Sequence, residues 1–330
     1  MRTGAASAVV VACGLLVACG DAPPPPSPAS EPGQPAAQAA PLPSPPPPQA
    51  SAREARVRSL AEDRSEIRYR VYGSGEPAVV FVHGWSCDSG YWDAQLNPFA
   101  SRGTVVTLDL AGHGASAVKQ RKDWSMANFG ADVAAVVEDA GLERVILVGS
   151  SMGGTVALEA ARRLPGRVVG VVGVDTFRDI ATPMPEEQTR PILESMRKDF
   201  ARATGELVGG RFFTDRSDPV LKRWIVEDMA AAPPRVAIPA IEAYLAMDYG
   251  SLLAQLDVPV LAINSGGTPT DEAATRRLEP RFRVIELPDA GHFPMLEDPQ
   301  TFNAVLARIV SEWARLEPAR KPLSRSAPGQ

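Results

Sequence analysis

The sequence predicts an α/β fold in which a doubly wound, mostly parallel sheet carries an inserted helical cap. Three observations lead there. From residue 78 onward, short β-branched runs alternate with segments of helical periodicity, the order that buries a parallel sheet beneath helices. About eighty residues separate Thr176 from the strand pattern that opens at Val258, and they carry helical pieces; a structureless loop of that length is uncommon in a compact domain, so an inserted helical layer is expected. Finally, a β-branched run at 145–148 passes through Gly149-Ser150-Ser151-Met152-Gly153 into a small-residue helix, a junction with glycines where strand and helix approach closely.

Each element follows from local pattern. Alternating apolar residues at 55–60 and at Glu66–Tyr72 predict a leading antiparallel hairpin, with Gly73-Ser74-Gly75-Glu76-Pro77 turning the chain after its second strand. Further strands are expected at Ala78–Val82, 104–108, 144–148, Val168–Val174, 258–263 and 282–287, with helices at 91–100, 126–140, 155–164, 271–278 and 300–316. In the cap the helical patterns are 190–204 and 219–229, and apolar residues such as Leu207, Phe212, Phe213, Trp224 and Met229 are there to pack a cap core or to line an acyl pocket. The divisions are therefore a signal at 1–18, a linker at 19–52, a core at 53–177 and 256–316, a cap at 178–255, and a tail at 317–330.

The ends of the chain have a different character. Arg2 precedes an apolar stretch at 5–18 that is too short for a membrane span and has the form of an export signal. Its last residues, Leu16-Val17-Ala18-Cys19, resemble a bacterial lipobox, which implies cleavage before Cys19 and lipid anchoring through that cysteine. A plain signal cleaved near Ala18 is the alternative, and Val10-Val11-Ala12-Cys13 is a poorer second lipobox. Residues 22–50 hold thirteen prolines and no aromatic residue, so they cannot bury enough apolar surface to fold. At roughly 3.1 Å per residue they would reach on the order of 90 Å as a stalk. The tail at 317–330 is charged and proline-punctuated, and disorder is expected there. With Cys13 and Cys19 in the signal region, Cys87 is the remaining thiol; it has no intrachain partner and reads as a packed small hydrophobe. A formal net charge of −5, with no basic helix and no aromatic-basic interleaving, leaves no footprint for nucleic acid.

The chemistry is carried by a few motifs. Gly149-Ser150-Ser151-Met152-Gly153 makes Ser151 the candidate nucleophile. The chain has three histidines: His83 in His83-Gly84-Trp85, His113 in Asp109-Leu110-Ala111-Gly112-His113-Gly114, and His292 in Ala290-Gly291-His292-Phe293. With these motifs in view, the span from about Arg53 to Leu316 resembles the α/β-hydrolase superfamily, in its branch of capped Ser-His-acid esterases. The resemblance implies the chain order nucleophile, acid, histidine, with His292 as general base. It also implies an oxyanion hole from the backbone N–H groups of Trp85 and Met152, structural or loop-shaping roles for His83 and His113, and a structural role for Asp109.

Two positions compete for the acid. The family most often places it after the strand that ends here at Ile263, but Asn264-Ser265-Gly266-Gly267-Thr268-Pro269-Thr270-Asp271 lacks the usual glycine-x-x-aspartate pattern. Asp271 is the carboxylate nearest that place, in a segment that also reads as a helix start. Asp175 instead ends an all-apolar strand at the carboxyl edge of the sheet, where ligands bind and where some members, haloalkane dehalogenases among them, carry their acid. Asp175 is the expected acid and Asp271 the alternative.

A serine nucleophile excludes the alkyl-ester chemistry of dehalogenases and epoxide hydrolases, which use aspartate. The expected reaction is hydrolysis of a small-molecule carboxylic ester through an acyl-enzyme on Ser151, with no metal or organic cofactor. A lactonase, thioesterase, peptidase or carbon–carbon bond hydrolase would use the same residues. A catalytically silent lipoprotein of the same fold is the reading from another class, and it predicts a damaged set of site residues. The expected location is a bacterial cell envelope, anchored through Cys19.

Overall fold

A computed structural model describes residues 51–116, 118, 120–178 and 185–316; the signal, Cys19, nearly all of the linker and the tail lie outside these residues. The elements in chain order are β1 (Arg53–Arg58), β2 (Glu66–Tyr72), β3 (Ala78–Val82), α1 (Asp93–Ala100), β4 (Val105–Leu108), α2 (Met126–Asp139), β5 (Val145–Ser150), α3 (Met152–Arg163) and β6 (Val168–Val174). Then come α4 (Glu186–Lys198), α5 (Phe200–Arg211), α6 (Pro219–Ala230), α7 (Pro234–Leu245), α8 (Tyr249–Leu253), β7 (Val260–Ser265), α9 (Glu272–Leu278), β8 (Arg283–Leu287), α10 (Pro294–Glu297) and α11 (Pro299–Trp313).

The eight strands form one sheet in the order β1-β2-β4-β3-β5-β6-β7-β8. The predicted hairpin is present, Arg53 pairing with Val71 and Arg58 with Glu66, and β2 also runs antiparallel to β4. From β4 to β8 every pairing is parallel. Strands β3, β5 and β6 are buried along their whole length, which is why they read as unbroken apolar runs rather than alternating ones. Helices flank the sheet, α2 packing with α3 and α1 with α11.

Several boundaries differ from the sequence expectation, each for a local reason. The strand expected at 258–263 runs two residues later, as β7, because Pro259 has no N–H for the ladder and Asn264 and Ser265 remain paired with β8. The helix expected at 155–164 begins at Met152, the residue after Ser151. The helical pattern at 190–204 is two helices. Asp199, with φ −154° and ψ 91°, ends α4 and caps α5 by accepting from Arg202 N–H, so the periodicity continues across a break in direction. Helices α7 and α8 were not legible; both pack against α3, which ties this layer to the helix behind Ser151.

Candidate active site

The turn between β5 and α3 is built around its glycines. Ser151 has φ 52° and ψ −119°, a region that costs a non-glycine residue on the order of 1–3 kcal/mol and persists only where the surroundings enforce it. They do so here. A Cβ at Gly149 would lie 2.1 Å from Gly153 O, and one at Gly153 would lie 2.4 Å from His83 O and 2.5 Å from Val82 O. The Ser151 N–H donates to Val174 O at 2.8 Å, locking the turn to β6. Ser151 is half-buried and lines a cavity of about 220 Å³ beneath α5, α6 and α7.

His292 lines the same cavity. Its Nδ1 lies 2.6 Å from Asp175 Oδ2. Asp175 follows β6 directly in a strained conformation, φ 49°, and its N–H is held by Ile263 O at 2.9 Å. Its second oxygen accepts from Ser265 N–H at 2.7 Å and from the Arg178 guanidinium. Burial pushes the Asp175 carboxyl up, but the His292 hydrogen bond and charge, the Arg178 charge and the Ser265 N–H outweigh it and hold the pKa below the usual carboxylate value. Asp175 is thus a carboxylate at neutral pH, so His292 must donate from Nδ1 and present Nε2 as its basic nitrogen.

The structure brings Asp175, not Asp271, to His292. Asp271 is exposed and its carboxylate caps α9, accepting from Ala274 N–H at 2.8 Å. Asn264 and Ser265, at the position after Ile263 where the resemblance would place the acid, are instead the last residues of β7. Asn264 Oδ1 accepts from Thr176 N–H at 3.0 Å, and Ser265 serves Asp175. Arg178 was not singled out in the sequence. It is buried, and besides Asp175 it reaches Ser265 O at 3.0 Å, Ser265 Oγ at 2.7 Å and Thr268 O. These contacts tie the β6 and β7 loops together behind the histidine.

The cap touches both loops that face Ser151. On one side His292 N–H donates to Phe212 O at 2.7 Å, and the Phe212 ring lies over the imidazole with centroids 4.2 Å apart; a Cβ at Gly291 would meet Phe212 O at 2.5 Å. On the other, the Trp85 indole N–H donates to Ala237 O of α7 at 2.7 Å and its ring stands edge-on to Phe200. Gly84 brings the Trp85 loop against the nucleophile turn, where an added Cβ would lie 3.1 Å from Ser150 O. Met152 opens α3, so its N–H has no intrahelical partner. Of the two residues expected to supply the oxyanion hole, Trp85 lines the same cavity as Ser151, and Met152 follows Ser151 at the head of α3.

The other two histidines serve backbone groups. His83 donates from Nδ1 to Gly84 O at 2.8 Å and accepts at Nε2 from Leu110 N–H at 3.0 Å, while His113 Nδ1 donates to Ala111 O at 3.1 Å. Burial lowers the pKa of His83 and lowers that of His113 to about 3, so both are neutral. Asp109 accepts from Ser89 and Ala115 N–H and shapes the same loops. Cys87 lines the cavity, but burial pushes its thiol well above its ordinary pKa and it donates to Trp85 O at 3.3 Å. It is a protonated packing residue, not a nucleophile. Among the described residues no group of histidine, cysteine and carboxylate side chains is arranged to hold a metal ion.

Strand order, nucleophile turn and histidine loop together define a class. Residues 79–305 match the alpha/beta hydrolase family, and the chain belongs to it. The chain is 32% identical over 272 residues to a non-heme haloperoxidase of Rhodococcus erythropolis, spanning 76% of this chain and 97% of that protein. It is 26% identical over 243 residues to 3-oxoadipate enol-lactonase 1 of Acinetobacter baylyi, spanning 71% and 88%. Among solved structures, a thermophilic esterase from Thermogutta terrifontis superposes with a TM-score of 0.70 at 26% identity, covering 79% of this chain and 99% of that one.

Proposed function

We propose that this protein is a serine hydrolase that cleaves carboxylic esters through an acyl-enzyme on Ser151. The observation that carries the reading is the 2.6 Å His292–Asp175 bond directed at the cavity that Ser151 lines. In the proposed cycle Ser151 Oγ attacks the ester carbonyl as its proton passes to His292 Nε2, and the Asp175 carboxylate stabilises the imidazolium. The oxyanion is held by the N–H groups of Met152 and Trp85, each worth on the order of 3 kcal/mol in the transition state. The tetrahedral intermediate expels the alkoxide, which takes the proton from His292. Water then attacks the acyl-enzyme, again giving a proton to His292, and Ser151 recovers it as the carboxylic acid leaves. Every proton is moved by a residue of this chain.

A lactone is a cyclic ester and follows the same steps with the leaving alkoxide still tethered, which accords with an enol-lactonase among the relatives. A silent binding protein accords poorly with a strained serine, a paired histidine and an ionised aspartate all maintained together. The test is turnover of 4-nitrophenyl acetate and butyrate, with fluorophosphonate labelling, by wild type and Ser151→Ala. Labelling and turnover that vanish in the variant are expected; a folded wild type that takes no label would sink the reading.

The tether is proposed from Leu16-Val17-Ala18-Cys19 alone. No helix of the described residues is long and apolar enough to cross a membrane. Cys19→Ala should abolish partitioning of the exported protein into a detergent phase, and persistent partitioning would refute the lipobox.

A further inference from the structure

Besides His292, the wall of the Ser151 cavity carries three charged side chains: Asp175, Arg178 and Arg211. Asp175 and Arg178 form a buried ion pair, and Arg178 has its remaining donors on Ser265 and Thr268. That pair presents no net charge to a ligand. Arg211 differs: it is exposed, it closes α5, and no ion pair with a carboxylate among the described residues engages it. Its neighbours in the cap do have such pairs, Arg197 with Glu242, Arg202 with Asp199 and Glu206, and Arg216 with Asp289.

A cation in the last turn of a helix is favoured by the helix dipole alone, which accounts for an arginine at 211 but not for its place on the cavity wall. That place is set by the next residue. Phe212 O holds the His292 N–H at 2.7 Å and its ring covers the imidazole, so Arg211 is anchored one residue from the group that touches the base. The surrounding cap lining, Leu207, Phe213, Met229 and Ile241, is apolar. Thr214, Tyr244, Ser265 and Thr268 add polar groups to the lining, and Arg211 is its one charged side chain with no ion pair among the described residues, in a chain whose net charge is −5.

We propose that Arg211 selects substrates that carry a carboxylate: esters or lactones with a second, unreacting carboxylate a few bonds from the scissile carbonyl. The inference rests on the serine-ester reading of the site. A guanidinium matches a carboxylate as a planar fork, giving orientation as well as attraction. The apolar lining accommodates the methylene chain between the two carbonyl groups, and Arg178 keeps the Asp175 charge from repelling the anion.

The test compares kcat/KM within two matched pairs. Monomethyl glutarate against methyl pentanoate places the carboxylate on the acyl side; butyryl glycolate against propyl butyrate places it on the alcohol side. Wild type should prefer the anion in one pair by on the order of ten-fold, the worth of one partly exposed charge-assisted contact, and the pair that shows it locates the anion. Arg211→Gln should erase that preference and leave both neutral esters unchanged, which also certifies its fold. Arg211→Lys should restore part of it, and the wild-type preference should shrink as salt is raised. Neutral esters preferred in both pairs, or an Arg211→Gln loss equal for anionic and neutral esters, would overturn the proposal. Absence of fluorophosphonate labelling in folded wild type would remove the ester reading and this inference with it, an outcome separate from labelled enzyme without anion preference.

Discussion

Replacing Asp175 by asparagine is the most demanding test of the site, because the surroundings decide which way the new amide faces. One oxygen of Asp175 accepts from Ser265 N–H at 2.7 Å and from Arg178, and the other from His292. An asparagine must keep its carbonyl oxygen toward the two donors, since an –NH2 there would oppose an N–H and a guanidinium. The –NH2 then faces His292 Nδ1 and donates to it, so the imidazole proton moves to Nε2, the nitrogen required as base. Loss of the correct tautomer costs on the order of 10⁴ in kcat, about 5.5 kcal/mol of transition-state stabilisation. Stability falls as well. Breaking a buried ion pair from one side costs about 3–5 kcal/mol, and the lower end applies because Arg178 keeps the oxygens of Ser265 and Thr268. Single-turnover acylation with 4-nitrophenyl butyrate, below the unfolding temperature and with circular dichroism as the fold check, measures the effect. Asp271→Asn is the control: asparagine caps a helix as well as aspartate does, so kcat should be unchanged and stability should move by less than about 0.5 kcal/mol. An Asp175→Asn enzyme within ten-fold of wild type, or an Asp271→Asn enzyme that is the slower of the two, refutes the assignment.

Three further outcomes are expected. His113 is neutral in the fold with a pKa lowered to about 3 against an ordinary 6.5, so the unfolded chain binds more protons between those values and stability should fall as pH drops through that window. The slope is up to about 1.4 kcal/mol per pH unit for each such histidine; denaturation midpoints at several pH values should show it, and an unchanged slope in His113→Gln would contradict the assignment. Trp85→Phe keeps the edge contact with Phe200 but loses the bond to Ala237. It should cost about 1 kcal/mol of stability and lower kcat several-fold with little change in KM, whereas a pure KM effect would argue against a link between α7 and the oxyanion loop. Gly153→Ala places a Cβ against two backbone oxygens and should destabilise by roughly 3 kcal/mol, readable in a thermal melt; a wild-type Tm would show that the turn is looser than described.

Most of the sheet was legible because its strands are buried on both faces and read as β-branched runs, and the nucleophile turn because close approach leaves glycine no substitute at 149 and 153. Asp175 could be singled out because a carboxylate directly after an all-apolar strand requires a partner. What that partner set contains was not legible. An arginine three residues after an aspartate is ordinary in sequence, and the burial of Arg178 arises from Ser265 and Thr268, 87 and 90 residues away. The cap was visible as a length of chain with helical patterns at 190–204 and 219–229, where α4, the start of α5 and α6 lie, but α7 and α8 gave no such pattern. Prolines obscure α7: Pro233 and Pro234 suit its cap and first turn, but Pro239 lies inside the helix, and Asp199 interrupts a pattern whose periodicity continues past it. Ala237 O and Phe212 O had no signal at all, since a backbone acceptor is the same in every residue type.

Those two carbonyl oxygens constrain how such an enzyme can change. One fixes Trp85 and the other fixes His292, so the cap serves as the jig that aligns the two loops carrying the groups proposed to react. Side chains on its inner surface are free to vary, and with them the acyl group or alcohol accepted. The backbone path at 212 and 237 is not free, because shifting either point by an ångström would move a reacting loop with it. Specificity in this fold should therefore drift by substitution within the cap helices. Insertions and deletions that displace those two points should exact a loss of turnover even on substrates that still fit.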